Sequence, residues 1–113
     1  MIIEKTLKVT AEAKKCARLA LSIREKLPAS KRFGITQEQA AKLGINSGVE
    51  RAKQIIRSQN LPWHDAQRVA RFYQRFKNKE GPRAQGAIDL WGGRAFGKLA
   101  VEFVRKNKKE MRE

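Results

Sequence analysis

Pro62-Trp63-His64-Asp65-Ala66-Gln67-Arg68-Val69-Ala70-Arg71-Phe72-Tyr73-Gln74-Arg75-Phe76-Lys77 is the stretch whose reading decides the fold. At about 100° per residue, Ala66, Val69, Phe72, Tyr73 and Phe76 share one side of a helix. His64, Arg68, Arg71, Arg75 and, just beyond, Lys79 share the other. A helix with one apolar side must bury that side against a neighbour, so the segment predicts a packed helical domain. Pro62 suits the first helical position, where its missing N–H is not needed.

Upstream of this helix, Asn60-Leu61-Pro62 ends another, expected from about Ser47 to Gln59 with Val49, Ala52, Ile55 and Ile56 inward. Ser47 and Glu50 form a capping box at its start. A short helix near residues 37–43 precedes it, capped by Thr36 with Gln39 and closed by Gly44. Further back, Thr10 caps a helix from about Ala11 to Leu27, with Cys16, Leu19, Ala20, Ile23 and Leu27 as its stripe. Pro28 stops it, and residues 28–34 read as a basic loop. Ile3, Lys5, Leu7 and Val9 alternate with Glu4, Thr6, Lys8 and Thr10 at period two. The sequence shows no partner strand, so residues 1–9 read as an arm, a frayed helix start, or a strand pairing with a second copy. Downstream, residues 78–86 read as a Gly/Pro loop, Ala87–Trp91 as a short helix ended by Gly92-Gly93, and Arg94–Lys108 as the last helix. Phe96, Leu99, Ala100, Phe103 and Val104 face inward there, and residues 105–113 form a basic, mobile tail.

The fold class expected is all-α: a single domain over 1–113, a bundle of about five helices with a helix-turn-helix-like pair at 36–59. The 113 residues suit one domain, and 41% hydrophobic residues suit a folded core. No apolar run approaches the roughly 20 residues a bilayer requires. Met1-Ile2-Ile3-Glu4-Lys5 lacks the basic and apolar regions of a secretory signal. With a single cysteine, Cys16, there is no disulfide framework. A cytoplasmic protein without membrane association is expected.

Charge is the strongest functional signal. Lys and Arg number 26 against 11 acidic residues, a net charge of +15. Such an excess repels itself in the compact state, and a phosphate polyanion relieves it while releasing counterions. Residues 51–83 concentrate it, with nine basic and two acidic side chains. Arg68, Arg71, Arg75 and Lys79 form one cationic stripe, and guanidinium groups bind phosphate through paired donors. If the 36–59 pair works as a helix-turn-helix, Arg51, Lys53, Gln54 and Arg57 face the nucleic acid. Glu50, however, stands where that motif places a branched apolar residue. Trp63 reads as a half-buried cap, with base stacking as its functional alternative. Trp91 reads as a core anchor whose two following glycines let the last helix fold back, with a glycine nest beside Arg94 as the alternative.

The catalytic inventory is thin. His64 is the sole histidine, and Asp65 and Asp89 are the only aspartates. Clustered carboxylates for metal ions and a third group to orient a Cys16–His64 pair are both missing. No enzyme activity, cofactor or metal is expected.

Gly48-Val49-Glu50-Arg51-Ala52-Lys53-Gln54-Ile55, Arg68 to Phe76, and Gly86-Ala87-Ile88-Asp89-Leu90-Trp91-Gly92-Gly93 together carry a family resemblance. The chain resembles a small domain recurrent in tailed-phage and prophage proteins, over most of residues 12–104. Leu90-Trp91-Gly92-Gly93 is the most specific part. Phe76 stands near where a histidine is usual in that domain, and Arg94 where an acidic residue often follows the glycines. The resemblance implies a phage context and no particular activity. The resulting expectation is a phage-encoded DNA-binding protein. The alternatives are a virion, assembly or host-protein-binding role, with residues 3–9 as a homodimer or partner interface, and thirdly RNA binding.

Overall fold

The computed structural model describes residues 5–28 and 48–109. The helix expected near 37–43, and with it the first half of the helix-turn-helix-like pair, lies outside the described residues. So do residues 1–4 and 110–113. Among the described residues the protein is a compact, all-α globule of five helices with a two-stranded ribbon of two residues per strand.

The ribbon pairs β1 (Leu7–Lys8) with β2 (Asn60–Leu61), antiparallel, with Leu7 opposite Leu61 and Lys8 opposite Asn60. Val9 N–H extends it by donating to Gln59 O at 2.9 Å. The period-two pattern is therefore a strand, and its partner is in the same chain. Leu7 and Val9 are buried with Leu61. The same pairing shortens the helix before it. α2 (Gly48–Arg57) stops two residues before the expected Gln59, because the chain bends at Gln59 and Asn60–Leu61 run extended to meet β1. Leu61 also precedes Pro62, which disfavours helical backbone at that position.

α1 (Ala11–Lys26) begins where expected: Thr10 Oγ1 accepts from Ala13 N–H at 3.0 Å. It ends through Leu27, whose ψ of 147° is the extended value that Pro28 imposes. Its buried face differs from the expected stripe. Ala13, Ala17 and Ala20 are buried, whereas Leu19 is 54% and Ile23 43% exposed. The face is rotated by roughly 70° toward the alanines. Their small side chains let α1 pack closely against both α2 and α4 (Pro82–Leu90).

α3 (Trp63–Phe76) lies along α5 (Gly93–Asn107). Gly97 permits the contact, since a Cβ there would sit 2.8 Å from Tyr73 Cβ and closer still to its ring. α4 is longer than the expected helix at 87–91. Gly81, with φ of +102°, turns the chain, and Pro82 takes the first helical position. The proline read as part of a loop thus starts a helix. Gly92 and Gly93, with φ of +101° and +90°, then reverse the chain between α4 and α5 as expected. Phe96 and Ala100 of α5 are buried, but Leu99 is exposed. α5 ends within a residue of the expected Lys108, and Asn107 Nδ2 donates to Phe103 O at 2.9 Å in its last turn. No helix among the described residues is long and apolar enough to cross a membrane.

Candidate nucleic-acid interface

The outer face of α3 is built by its periodicity. Ala66, Val69, Ala70, Phe72 and Tyr73 are buried against the core, which turns His64, Arg68, Arg71 and Arg75 outward. Phe76 is half-buried and stacks on Phe72, with ring centroids 4.3 Å apart. Lys79 follows the end of α3, exposed, with Nζ 4.5 Å above the Phe76 ring. The expected stripe of Arg68, Arg71, Arg75 and Lys79 is therefore continuous on the surface.

The acidic residue nearest this row is drawn inward. Asp65 Oδ1 accepts from Arg51 Nη1 at 2.9 Å and from Arg68 Nη1 at 3.1 Å. Asp65 Oδ2 accepts from Gln54 Nε2 at 3.0 Å. Burial pushes the Asp65 carboxyl up, but the hydrogen bonds from Arg51 and Gln54 and the Arg51 charge outweigh it and hold the group below the usual carboxylate range. Arg71 and Arg75 make no hydrogen bond or ion pair among the described residues. Arg68 shares Asp65 with Arg51.

Two of the proposed contacts on α2, Arg51 and Gln54, are engaged within the fold. Arg51 is only 4% exposed. Its Nη1 also donates to Gln54 Oε1 at 2.5 Å, and its guanidinium lies 4.9 Å from the Trp91 ring centroid. Its Nε is buried with no hydrogen-bond partner among the described residues. A buried guanidinium so held joins α2 to α3. Gln54 is tied into the same cluster at both ends of its amide. Among the four α2 candidates, Lys53 and Arg57 remain exposed. Lys53 Nζ is 3.7 Å from Glu50 Oε1, an exposed pair that holds it only weakly.

At the Gly92-Gly93 reversal the N–H groups of Trp91 and Gly92 donate to Ile88 O at 3.1 Å and Asp89 O at 3.0 Å. Arg94 is turned away: Nε donates to Gln85 Oε1 at 2.9 Å, Nη1 to Lys77 O at 2.9 Å and Nη2 to Lys79 O at 3.4 Å. A cation thus closes the carbonyl end of α3 and fixes the backbone that carries Lys79. Gln85 Nε2 donates to Asp89 Oδ1 at 2.9 Å. Burial raises the Asp89 carboxyl above the ordinary range, against the Gln85 hydrogen bond and the Arg94 charge. Trp91 is the expected anchor, stacked face to face on Phe72 with centroids 4.3 Å apart. Trp63 is more deeply buried than a half-buried cap and packs on Phe103.

Sequence spacing places Asp65 beside Arg68, three residues on, but not the rest of its hub or the hub at Arg94. Asp65 carries only the local signal of an acid in a first helical turn, and Arg94 the signal of a cation after a glycine pair. Their other partners come from other elements. Cys16 packs beside Gly93, with burial first among the causes that raise its thiol. His64 is exposed at the start of α3. Among the described residues no group of three or more His, Cys, Asp or Glu side chains is placed to hold a metal ion.

No known family model, characterised protein or solved structure matches this chain. The likeness to the phage domain accordingly rests on its residues alone.

Proposed function

We propose that this chain is a DNA-binding protein that engages the phosphate backbone through the outer face of α3, in a bacteriophage context suggested by the sequence resemblance. The observation that carries the reading is the row of Arg68, Arg71, Arg75 and Lys79, with Asp65 drawn away by buried Arg51. On an ordinary surface helix, acids at i±3 and i±4 neutralise such a row. Here Arg71 and Arg75 are left open and the chain carries +15 in total. Lys53 and Arg57 add exposed charge on α2.

Fluorescence anisotropy with labelled duplex DNA, titrated between 50 and 200 mM salt, tests the reading. Four phosphate contacts give a slope of log K against log salt of about −3.6. A slope near zero, or no binding even at the lower salt, rejects it. RNA in place of DNA is the neighbouring alternative, and an RNA probe in the same titration separates the two.

A protein partner is the second reading, as in a virion, assembly or host-binding role. It is favoured by Leu19, Ile23 and Leu99, large apolar side chains that stay exposed among the described residues. A partner retained after nuclease treatment and lost on changing these leucines and Ile23 to Ser supports it.

A further inference from the structure

We infer that α3 lies in the major groove of duplex DNA and reads adenine edges through Gln67 and Gln74 while the arginine row holds the flanking phosphates, an inference that rests on the nucleic-acid reading above. At about 100° per residue, Gln67 and Gln74 stand within roughly 20° of each other around α3, on the edge beside Arg71. Gln74 is exposed and Gln67 half-buried. A carboxamide carries a donor and an acceptor side by side, the complement of the N6 donor and N7 acceptor that adenine presents in the major groove.

These two amides differ from the others on the described helices. Gln54 is bonded to Arg51 and Asp65, Gln85 to Asp89 and Arg94, and Asn107 to Phe103 O. Gln67 and Gln74 make no hydrogen bond among the described residues. Their surroundings differ too. α2 and α5 offset exposed cations with acids, Lys53 with Glu50 and Arg105 with Glu102. From Trp63 to Lys79 the only acid is Asp65, which Arg51 and Gln54 hold. The cations within α3 are all Arg, whose planar donors suit phosphate in pairs.

The helix that carries the amides is firmly seated. Tyr73 fits against Gly97 of α5. Phe72 is stacked between Phe76 and Trp91. Arg94 bonds to the carbonyls of Lys77 and Lys79 just past the last turn. All of these anchors lie on the inner side of α3 or beyond its end. The major groove of B-form DNA, about 12 Å wide, admits one helix, whereas duplex RNA closes its major groove to side chains. Gln67 and Gln74 lie about 10.5 Å apart along the axis, close to three base steps of about 3.4 Å. The expected site therefore holds two A·T pairs about three base pairs apart.

The test uses the full chain. A pool of 20-base-pair DNA duplexes with a randomised centre is bound, recovered and sequenced. The recovered site and a shuffled duplex of equal composition are then titrated by fluorescence anisotropy at 0.1 M salt. Each bidentate pair discriminates by about 5- to 150-fold, so the parent is expected to prefer the recovered site by at least about 25-fold. Gln74→Ala is expected to lose the preference at one A·T pair and Gln67→Ala at the other. The salt slope stays unchanged in both, because a neutral amide releases no counterion. Helical circular dichroism confirms the fold of each variant. The inference is overturned by a recovered site preferred less than about fivefold, by one without the two A·T pairs, or by full preference in either folded variant. In each of these cases binding itself leaves the nucleic-acid reading standing. If no duplex in the pool binds, that reading fails and the inference falls with it.

Discussion

Changing Arg71 and Arg75 together to Ala removes the two cations of the α3 row that have no partner among the described residues. Two lost phosphate contacts lower the salt slope by about 1.8, from about 3.6 to about 1.8. The fourfold rise from 50 to 200 mM salt then weakens the parent about 150-fold and the variant about 12-fold. With parent and variant equal at 1 M salt, the variant binds about 60-fold more weakly at 0.1 M, close to 2.5 kcal/mol. The fold does not confound the result. Both side chains are exposed, so the substitution stays within about ±0.5 kcal/mol of the parent's stability, and Ala is a strong helix former. Anisotropy titrations at four salt concentrations measure the slope, and a thermal melt confirms the fold. R71K/R75K keeps the charge and is expected to keep the slope, while losing the paired donors of Arg. An unchanged slope in R71A/R75A, with the melt unchanged, refutes the assignment of this face.

Three further outcomes follow from the packing. Asp65→Asn leaves the buried Arg51 guanidinium without its counter-charge and is expected to destabilise the protein by about 2–3 kcal/mol in urea melts at pH 7. Because the Asp65 carboxyl is held below its usual range, its contribution is complete above about pH 4 and fades as pH falls through the lower folded value; the gap between parent and variant therefore closes in acid. Asp89→Asn has the opposite sign. Burial raises this carboxyl, so the parent is relatively best when the group is protonated, and the variant is expected to be the more stable at pH 7, with the advantage shrinking as pH falls through the raised folded value and gone below about pH 4. A variant less stable than the parent at neutral pH contradicts that account. Gly97→Ala forces a Cβ into Tyr73 and is expected to cost about 1–3 kcal/mol by chemical denaturation as α5 moves off α3; a neutral result shows that the two helices separate freely.

The sequence by itself determined the elements whose signals are local. The periodicity of residues 62–77 set both the helix and its cationic outer face, because a helix repeats every 3.6 residues whatever packs against it. Thr10, Pro28 and Gly92-Gly93 marked a start, a stop and a reversal for the same reason: a side-chain cap, a missing N–H and a positive φ act on their immediate neighbours. Only the tertiary structure decided the rest. Leu7 acquires its strand partner from Leu61, across the whole of α1 and α2. α1 turns its alanines inward and leaves Leu19 and Ile23 exposed because closely packed helices favour small side chains at the contact. Arg51 and Gln54, exposed-looking on a helical wheel, are drawn in by an acid on α3 and an indole at the end of α4. A hydrogen bond or a stacked ring depends on distance in space, and no spacing along the chain records which residues the fold brings within that distance.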